Sequence, residues 1–324
     1  MSRTKLLKCA GLILGALVLF MAGCTADRGN PGKSQTEGTS AQIKENAGVS
    51  YLGPQGTYTE EAAQFFFPGA GAMNPKATVL EAIEDAVNGS ADYAVIPQEN
   101  TLGGAVTNYV DALIAEERIF VVGEVILPIN QTLMGLPGAE LEDIKTVCSH
   151  AQGLTQSETW RKEHLPDAEA VEMASTAAAA SYVAETKDPS IAAVASPGAA
   201  NLYGLTVLAE NVQITDANKT RFYILSGTKL QGNGQKRAVF VADCEAAKID
   251  DIIVKIHEAG LELVTIHDRP EGSGLGVYHY ILEVENPKGI TEKVLKQIEA
   301  FPEVRCLGSF DVMEKVSGGE KKAD

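Results

Sequence analysis

Between residue 49 and about residue 228, short apolar runs and longer amphipathic runs take turns along the chain, and a Ser or Thr stands where many of the short runs end. This alternation predicts an α/β architecture with mostly parallel sheets, because a parallel strand needs a crossover, usually a helix, to bring the chain back alongside it. Strands are predicted at 49–52, 93–96, 120–125, 146–148, 191–193 and 207–208, and helices at 57–66, 104–116, 152–163, 176–185 and 197–203. Thr57, Thr101, Ser149, Ser175 with Thr176, and Ser196 mark the junctions. Each hydroxyl alone reads as a helix N-cap. Their number in one stretch points to a cleft ringed by helix starts, whose free N–H groups and partial positive charge would hold an anion.

The pattern changes after a Gly-, Gln-, Asn- and Lys-rich linker at 229–236. Strand, helix, two strands, helix and strand are predicted at 238–244, 249–259, 261–267, 276–285, 290–300 and 304–312. That βαββαβ order is ferredoxin-like. The chain thus divides into 48–228 and 237–313, with 314–324 read as a disordered tail.

With 324 residues, a net charge of −16 and a pI near 4.8, the chain lacks the basic surface that nucleic acid requires. An acidic surface also repels an anionic substrate at long range, so any anion site must be local and built from placed donors. Arg3, Lys5 and Lys8 precede an apolar run over 12–21 that ends in Met21-Ala22-Gly23-Cys24. This resembles a bacterial lipobox. It implies a lipoprotein signal peptide at 1–23, lipid on Cys24, a flexible tether over 24–47, and a body held outside the cytoplasm on a bacterial membrane; an uncleaved anchor is the alternative. Cys148, Cys244 and Cys306 lie in apolar strand-like runs without metal-ligand spacing and read as buried thiols. Cys244 and Cys306 fall on neighbouring predicted strands, which leaves a disulfide open. The sequence has no metal-ligand cluster or phosphate-loop motif, and no cofactor is expected.

The stretch from Asn218 to Leu225 reads as a strand with Thr220 and Arg221 at its mouth. A charge there either meets a ligand anion or pairs with a structural carboxylate, since burying it alone is costly. Asn218-Lys219-Thr220-Arg221-Phe222 resembles the active-site signature of prephenate dehydratases. Other segments similar to that family follow its order: Gly53-Pro54-Gln55-Gly56-Thr57-Tyr58-Thr59-Glu60-Glu61-Ala62-Ala63; Ile96-Pro97-Gln98-Glu99-Asn100-Thr101 with Gly104, Val106 and Asp111; Ser149-His150 with Gln152; Ser175-Thr176; and Tyr203-Gly204-Leu205. The resemblance runs from about residue 49 to about 312.

It implies two α/β lobes around a cleft, as in extracytoplasmic solute-binding proteins, followed by an ACT domain in which Arg269-Pro270 and Leu307-Gly308-Ser309-Phe310 fit the pattern. The implied activity is a carbon–oxygen lyase of L-phenylalanine biosynthesis, converting prephenate to phenylpyruvate, carbon dioxide and water. By that resemblance Thr220 sits nearest the departing hydroxyl and Arg221 clamps a carboxylate. Asn100 and Glu99 orient the hydroxyl; Glu99 is a general acid if a dry pocket raises its pKa, or else a partner for a backbone N–H. Thr57, Tyr58, Thr101, Ser149, Gln152, Ser175, Thr176, Asn218 and Phe222 complete the substrate-binding set, with His150 either a proton donor or structural. Ala247, Ile249, His267, Asp268, Arg269 and Pro270 stand at the regulatory positions, with L-phenylalanine as effector and a homodimer as the assembly.

Several positions depart from the family. Cys148, Ala151 and Gly153 replace the usual Tyr, Pro and Ala, Thr101 replaces Ser, and Gln131 stands where His is common. Ala247-Lys248-Ile249 occupies the Gly-Ala-Leu loop, and His267-Asp268 replaces Glu-Ser, which leaves dimerisation as the C-terminal region's alternative role. An arogenate dehydratase and a tethered solute-binding lipoprotein without catalysis are the other functions open to this chain.

Overall fold

The computed structural model describes residues 43–230, 234–316 and 321–323. The expected signal peptide at 1–23, the expected lipid on Cys24 and the expected tether up to residue 42 lie outside the described residues. The described residues open with β1 (Gly48–Leu52), α1 (Tyr58–Phe66), β2 (Ala72–Lys76), α2 (Val79–Asn88), β3 (Tyr93–Asn100), β4 (Gly104–Ala105), α3 (Thr107–Ala115) and β5 (Phe120–Pro128). It then builds a second sheet region with β6 (Thr132–Gly135), β7 (Thr146–Ser149), α4 (Ala151–Gln156), α5 (Glu158–His164), β8 (Glu169–Glu172), α6 (Thr176–Thr186), β9 (Ile191–Ala195), α7 (Pro197–Tyr203) and β10 (Thr206–Ala209). β11 (Lys219–Ser226) returns to the first sheet. A third sheet follows from β12 (Gln235–Glu245), α8 (Ile249–Glu258), β13 (Glu262–Pro270), β14 (Val277–Ile290), α9 (Glu292–Ile298) and β15 (Val304–Phe310). Finally β16 (Val312–Lys315) and β17 (Lys321–Ala323) rejoin the first sheet.

The first sheet has the order β17-β16-β5-β11-β3-β1-β2, with β4 paired to β3; the second has β10-β6-β9-β7-β8. The two-lobed α/β architecture is therefore present, but its sheets are mixed rather than mostly parallel. β1, β2 and β3 run parallel, as do β7, β8 and β9, while β11 is antiparallel to both β3 and β5, and β6 to β9 and β10. The cause is connectivity: the chain leaves the first sheet after β5 and re-enters it at β11 running the other way.

Two elements absent from the sequence reading have local explanations. β2 contains Pro75 and lies at the sheet edge, where a missing N–H costs no ladder bond. α2 starts with a full capping box between Thr78 and Glu81, and buries Val79, Ala82, Ile83 and Ala86 on one face. The helix expected over 152–163 is broken at Ser157, whose hydroxyl turns back to the Gly153 carbonyl at 2.8 Å.

The third sheet has the order β13-β14-β12-β15 and is antiparallel throughout, the ferredoxin-like arrangement. One of its faces packs with α8 and α9 in a core around Phe240, Ile252, Ile256, Leu282 and Ile298. Its other face shares a core with the first sheet: Val239, Val241, Ile281, Leu307 and Phe310 pack with Tyr109, Leu113, Ile119 and Tyr223. At Gly308 the backbones come so close that a Cβ would overlap the Val121 carbonyl, and its φ of +147° also suits glycine.

One open alternative is excluded and one further expectation is corrected. Cys148, Cys244 and Cys306 are all free and buried. β12 and β15 are neighbours, but Cys306 lies opposite Phe240, four residues along β12 from Cys244, and about 13 Å at strand rise is far beyond disulfide reach. The supposed tail begins late: β16 runs parallel to β5, and Glu314 and Lys315 pair with Lys219 at 2.5 Å and Glu61 at 2.8 Å.

Candidate active site

The site is organised by an irregularity where β3 meets β11. Thr220 lies opposite Asn100 and Arg221 opposite Glu99, but Phe222 lies opposite Pro97, so Gln98 is an extra residue. Side chains on a regular strand alternate between faces, and a bulge interrupts the alternation. β11 alternates, with Thr220 and Phe222 on one face and Arg221 and Tyr223 on the other. On β3 the bulge sends Gln98 and Glu99 to the back with Arg221 and Tyr223, while Pro97 and Asn100 both face forward.

The forward face lines a cleft of about 560 Å³. Pro97, Asn100, Thr220 and Phe222 form its floor; Thr57 and Tyr58 come from the start of α1, His150 and Gln152 from α4, and Ser175 and Thr176 from the start of α6. Asn100 is held on every polar atom. Its Nδ2 donates to Thr220 Oγ1 at 2.9 Å and Asn218 Oδ1 at 2.8 Å. Its Oδ1 accepts from Gln152 Nε2 and from the N–H groups of Leu102 and Gly103, each at 3.0 Å. Because Thr220 Oγ1 accepts from Asn100, its own proton is left to point elsewhere, and the cleft is on that side. Gln152 belongs to the second sheet's α4, so this bond ties the lobes together across the cleft.

Thr57 and Ser175 cap α1 and α6 by accepting from Glu60 N at 3.4 Å and Ala178 N at 2.9 Å. Both helix starts open on the cleft. Glu60 does not close a capping box; its carboxylate takes the Gly56 N–H at 2.6 Å and the Tyr51 hydroxyl at 3.0 Å. Tyr58 donates to the Asn130 carbonyl at 2.7 Å, and burial, helped by Glu61, holds its hydroxyl well above the usual phenol range. Among the described residues, no Lys, Arg, Asp or Glu lines this cleft. Gln131 and Gln156, which also line it, bond to each other at 2.8 Å. A second cavity of about 410 Å³ lies beyond the first turn of α1, where Lys315 and Glu61 are paired at 2.8 Å.

The back face is its chemical opposite. Arg221 bonds Glu124 on β5, Glu283 on β14 and, at 3.2 Å, Glu99. Glu283 also takes the Tyr223 hydroxyl at 2.6 Å, Gln98 Nε2 at 3.1 Å, and Arg237. Arg237 reaches Glu285 at 3.0 Å. His267 bonds the Tyr109 hydroxyl through Nδ1 and lies 3.9 Å from Glu99. Burial, reinforced by the Glu283 charge and opposed by Arg221, lifts the Glu124 carboxyl to about 7. Burial pushes Glu283 the same way, but Arg221, the Tyr223 hydroxyl and Arg237 outweigh it and hold that carboxyl below its ordinary value. Burial lowers His267 despite the nearby Glu99.

Several expected site residues are thus placed elsewhere. Arg221 and Glu99 are turned from the cleft, Arg221 by strand alternation and Glu99 by the bulge; the guanidinium clamps protein carboxylates, not a ligand's. Ser149 is fully buried and donates to the Val194 carbonyl at 2.6 Å. Thr101 is exposed and ties the loop before β11, accepting from Lys219 N at 2.6 Å. Asn218 stands behind Asn100 rather than in the cleft wall. In the third sheet, Ile249 is part of the core and Ala247 lies in the short turn before it. His267 and Arg269 face α3 instead, Arg269 pairing with Asp111 at 2.5 Å; Asp268 is exposed and Pro270 ends β13 opposite Tyr278. The sequence reading lacked Glu124 and Glu283. Glu124 is a lone acid inside an apolar strand run, and Glu283 directly follows the apolar Tyr280-Ile281-Leu282, which is the signal of a buried charge needing a partner.

Residues 49–229 match the prephenate dehydratase family. The chain is similar to the prephenate dehydratase of Methanocaldococcus jannaschii, with 33% identity over 279 residues, covering 83% of this chain and 100% of that protein. Among solved structures, the prephenate dehydratase of Arthrobacter aurescens in complex with L-Phe superposes with a TM-score of 0.73 at 32% identity, covering 81% of this chain and 89% of that one. A quorum-quenching acylase of a novel type superposes with a TM-score of 0.72 at 27% identity, covering 81% of this chain and 97% of its own.

Proposed function

Because the chain belongs to the prephenate dehydratase family, we propose that its interlobe cleft is where prephenate loses carbon dioxide and water. The protein is a hydro-lyase that forms phenylpyruvate. The observation that carries the assignment of the cleft is the hydrogen-bonded chain Gln152–Asn100–Thr220, which spans both lobes and ends on a hydroxyl beside open space. The substrate is a dianion, and no Lys or Arg among the described residues lines the cleft to receive it. The N-termini of α1 and α6 supply the attraction through free N–H groups and helix dipoles. Dipoles suit this reaction. The carboxylate that leaves as carbon dioxide must give its charge to the ring, and a full ion pair would stabilise the ground state at the transition state's expense. Thr220 donates to the departing hydroxyl. An alcohol is a poor acid, so its contribution is a directed hydrogen bond in a site already organised by Asn100. Pro97 and Phe222 give the ring an apolar floor.

Prephenate is favoured over arogenate by the same lining, since among the described residues no carboxylate lines the cleft to receive arogenate's ammonium. The third sheet supports a second assignment, an ACT-type regulatory domain responding to L-phenylalanine and pairing with a second copy. The Arthrobacter relative was crystallised with L-Phe, and the ferredoxin-like order fits such a domain. At the N-terminus, Met21-Ala22-Gly23-Cys24 after a basic and apolar leader supports lipid on Cys24 and a body outside the cytoplasm. The test is turnover: purified protein given prephenate, without added metal, should release phenylpyruvate, and arogenate should be the poorer substrate. Binding of prephenate with no product would instead favour a solute-binding role. Metabolic labelling with a fatty acid, lost in Cys24→Ala, checks the anchor.

A further inference from the structure

We propose that Glu283, on the third sheet, is a positioning residue for the reaction in the cleft: its carboxylate fixes the β3 bulge that turns Asn100 into the cleft and onto Thr220. This rests on the dehydratase reading of that cleft. Glu283 is fully buried and gathers four side chains, of which Gln98, Arg221 and Tyr223 come from the β3–β11 pair. Gln98 is the extra residue of the bulge itself. Arg221 and Tyr223 are the back-face residues that alternate with Thr220 and Phe222. If Gln98 were released and the bulge moved toward the end of β3, past Asn100, the side chains it passed would exchange faces, because strand alternation has a period of two. Asn100 would then leave the cleft, and Thr220 would lose the donor that orients its hydroxyl. A carboxylate removed from water is an expensive way to fill space, since apolar side chains pack as well at less cost. What it adds is selection of one hydrogen-bonded arrangement. The third sheet thus holds part of the active-site geometry without touching the cleft.

The test compares steady-state kinetics and thermal melting of the full chain carrying Glu283→Gln with those of Glu285→Gln. Both substitutions remove a carboxylate that binds Arg237, but Glu285 is not bonded to Gln98, Arg221 or Tyr223. On the proposal, Glu283→Gln lowers kcat about tenfold to a hundredfold, keeps KM within about threefold, and Glu285→Gln leaves kcat unchanged. Folded Glu283→Gln with the kcat of the unaltered protein would overturn it, as would an equal loss in Glu285→Gln, which would mean that any damage at this interface suffices. Should Glu283→Gln not fold, Gln98→Met cuts one link without removing a charge: reduced kcat at unchanged KM supports the proposal, and unchanged kcat overturns it. An unaltered protein that does not turn over prephenate overturns the dehydratase reading and this inference with it. Turnover by the unaltered protein and by Glu283→Gln alike overturns this inference alone.

Discussion

The front and back of the β3–β11 pair are built from adjacent residues and share no chemistry. In front, Thr220, Asn100 and two helix starts face a cleft that no Lys, Arg, Asp or Glu among the described residues lines. Behind, Arg221 holds Glu99, Glu124 and Glu283, two of them fully buried. The contrast separates two uses of polarity. Full charges fix the protein to itself, where each can be paired permanently. The reacting face uses hydroxyls, amides and dipoles, which attract a dianion yet leave its charge free to move into the ring. An arginine next to a catalytic threonine in sequence can therefore serve the site without facing the substrate.

The largest expected effect lies behind the strands. Arg221→Met strands the buried carboxylate of Glu124 and leaves that of Glu283 with Arg237 as its remaining ion pair, and should cost about 3–5 kcal/mol in urea unfolding; a loss under about 1 kcal/mol would mean that the cluster is not the structural anchor described here. In front, Gln152→Leu cuts the bond between the lobes and should lower kcat about tenfold, with melting temperature little changed. The pH dependence comes next. Glu124 has a native pKa of about 7 against an ordinary 4.5, so the native state holds that proton more tightly than the unfolded chain. Its contribution to stability is present below about 4.5 and is lost as pH rises through about 7. Glu124→Gln should flatten the stability slope in that window. Glu283, held low, acts in the opposite sense, losing its contribution as pH falls below its ordinary value. The smallest effect belongs to Arg269→Ala: its pair with Asp111 is well exposed, and its loss should change stability by less than about 1 kcal/mol.

Much of the architecture was legible. Strand–helix alternation and the βαββαβ order identified both parts of the fold because each element carries its own periodicity. The elements lacking were short or masked: β2 by Pro75, β6 and β8 by four-residue lengths. α2 had readable signals in Thr78, Glu81 and the spacing of Val79, Ile83 and Ala86. The site was legible on β11 and not on β3. Alternation alone says that Thr220 and Arg221 face opposite ways, so both could not grip one ligand. The bulge at Gln98 has no glycine; its one local sign is Pro97 inside a central strand, and its partner Glu283 lies 185 residues away. Ser149 and Thr101 misled for another reason, since a hydroxyl at a helix start can bond to the protein's own carbonyls and N–H groups as readily as to a ligand.

The most direct measurement is prephenate turnover by Thr220→Val beside the unaltered protein, with prephenate binding followed separately. The front-face account expects the unaltered protein to form phenylpyruvate, and the variant to lose kcat by about a hundredfold to a thousandfold while still binding prephenate with similar affinity. A variant that turns over as fast as the unaltered protein would contradict it, because the hydroxyl at the end of the Gln152–Asn100 chain would then have no part in the departure of water.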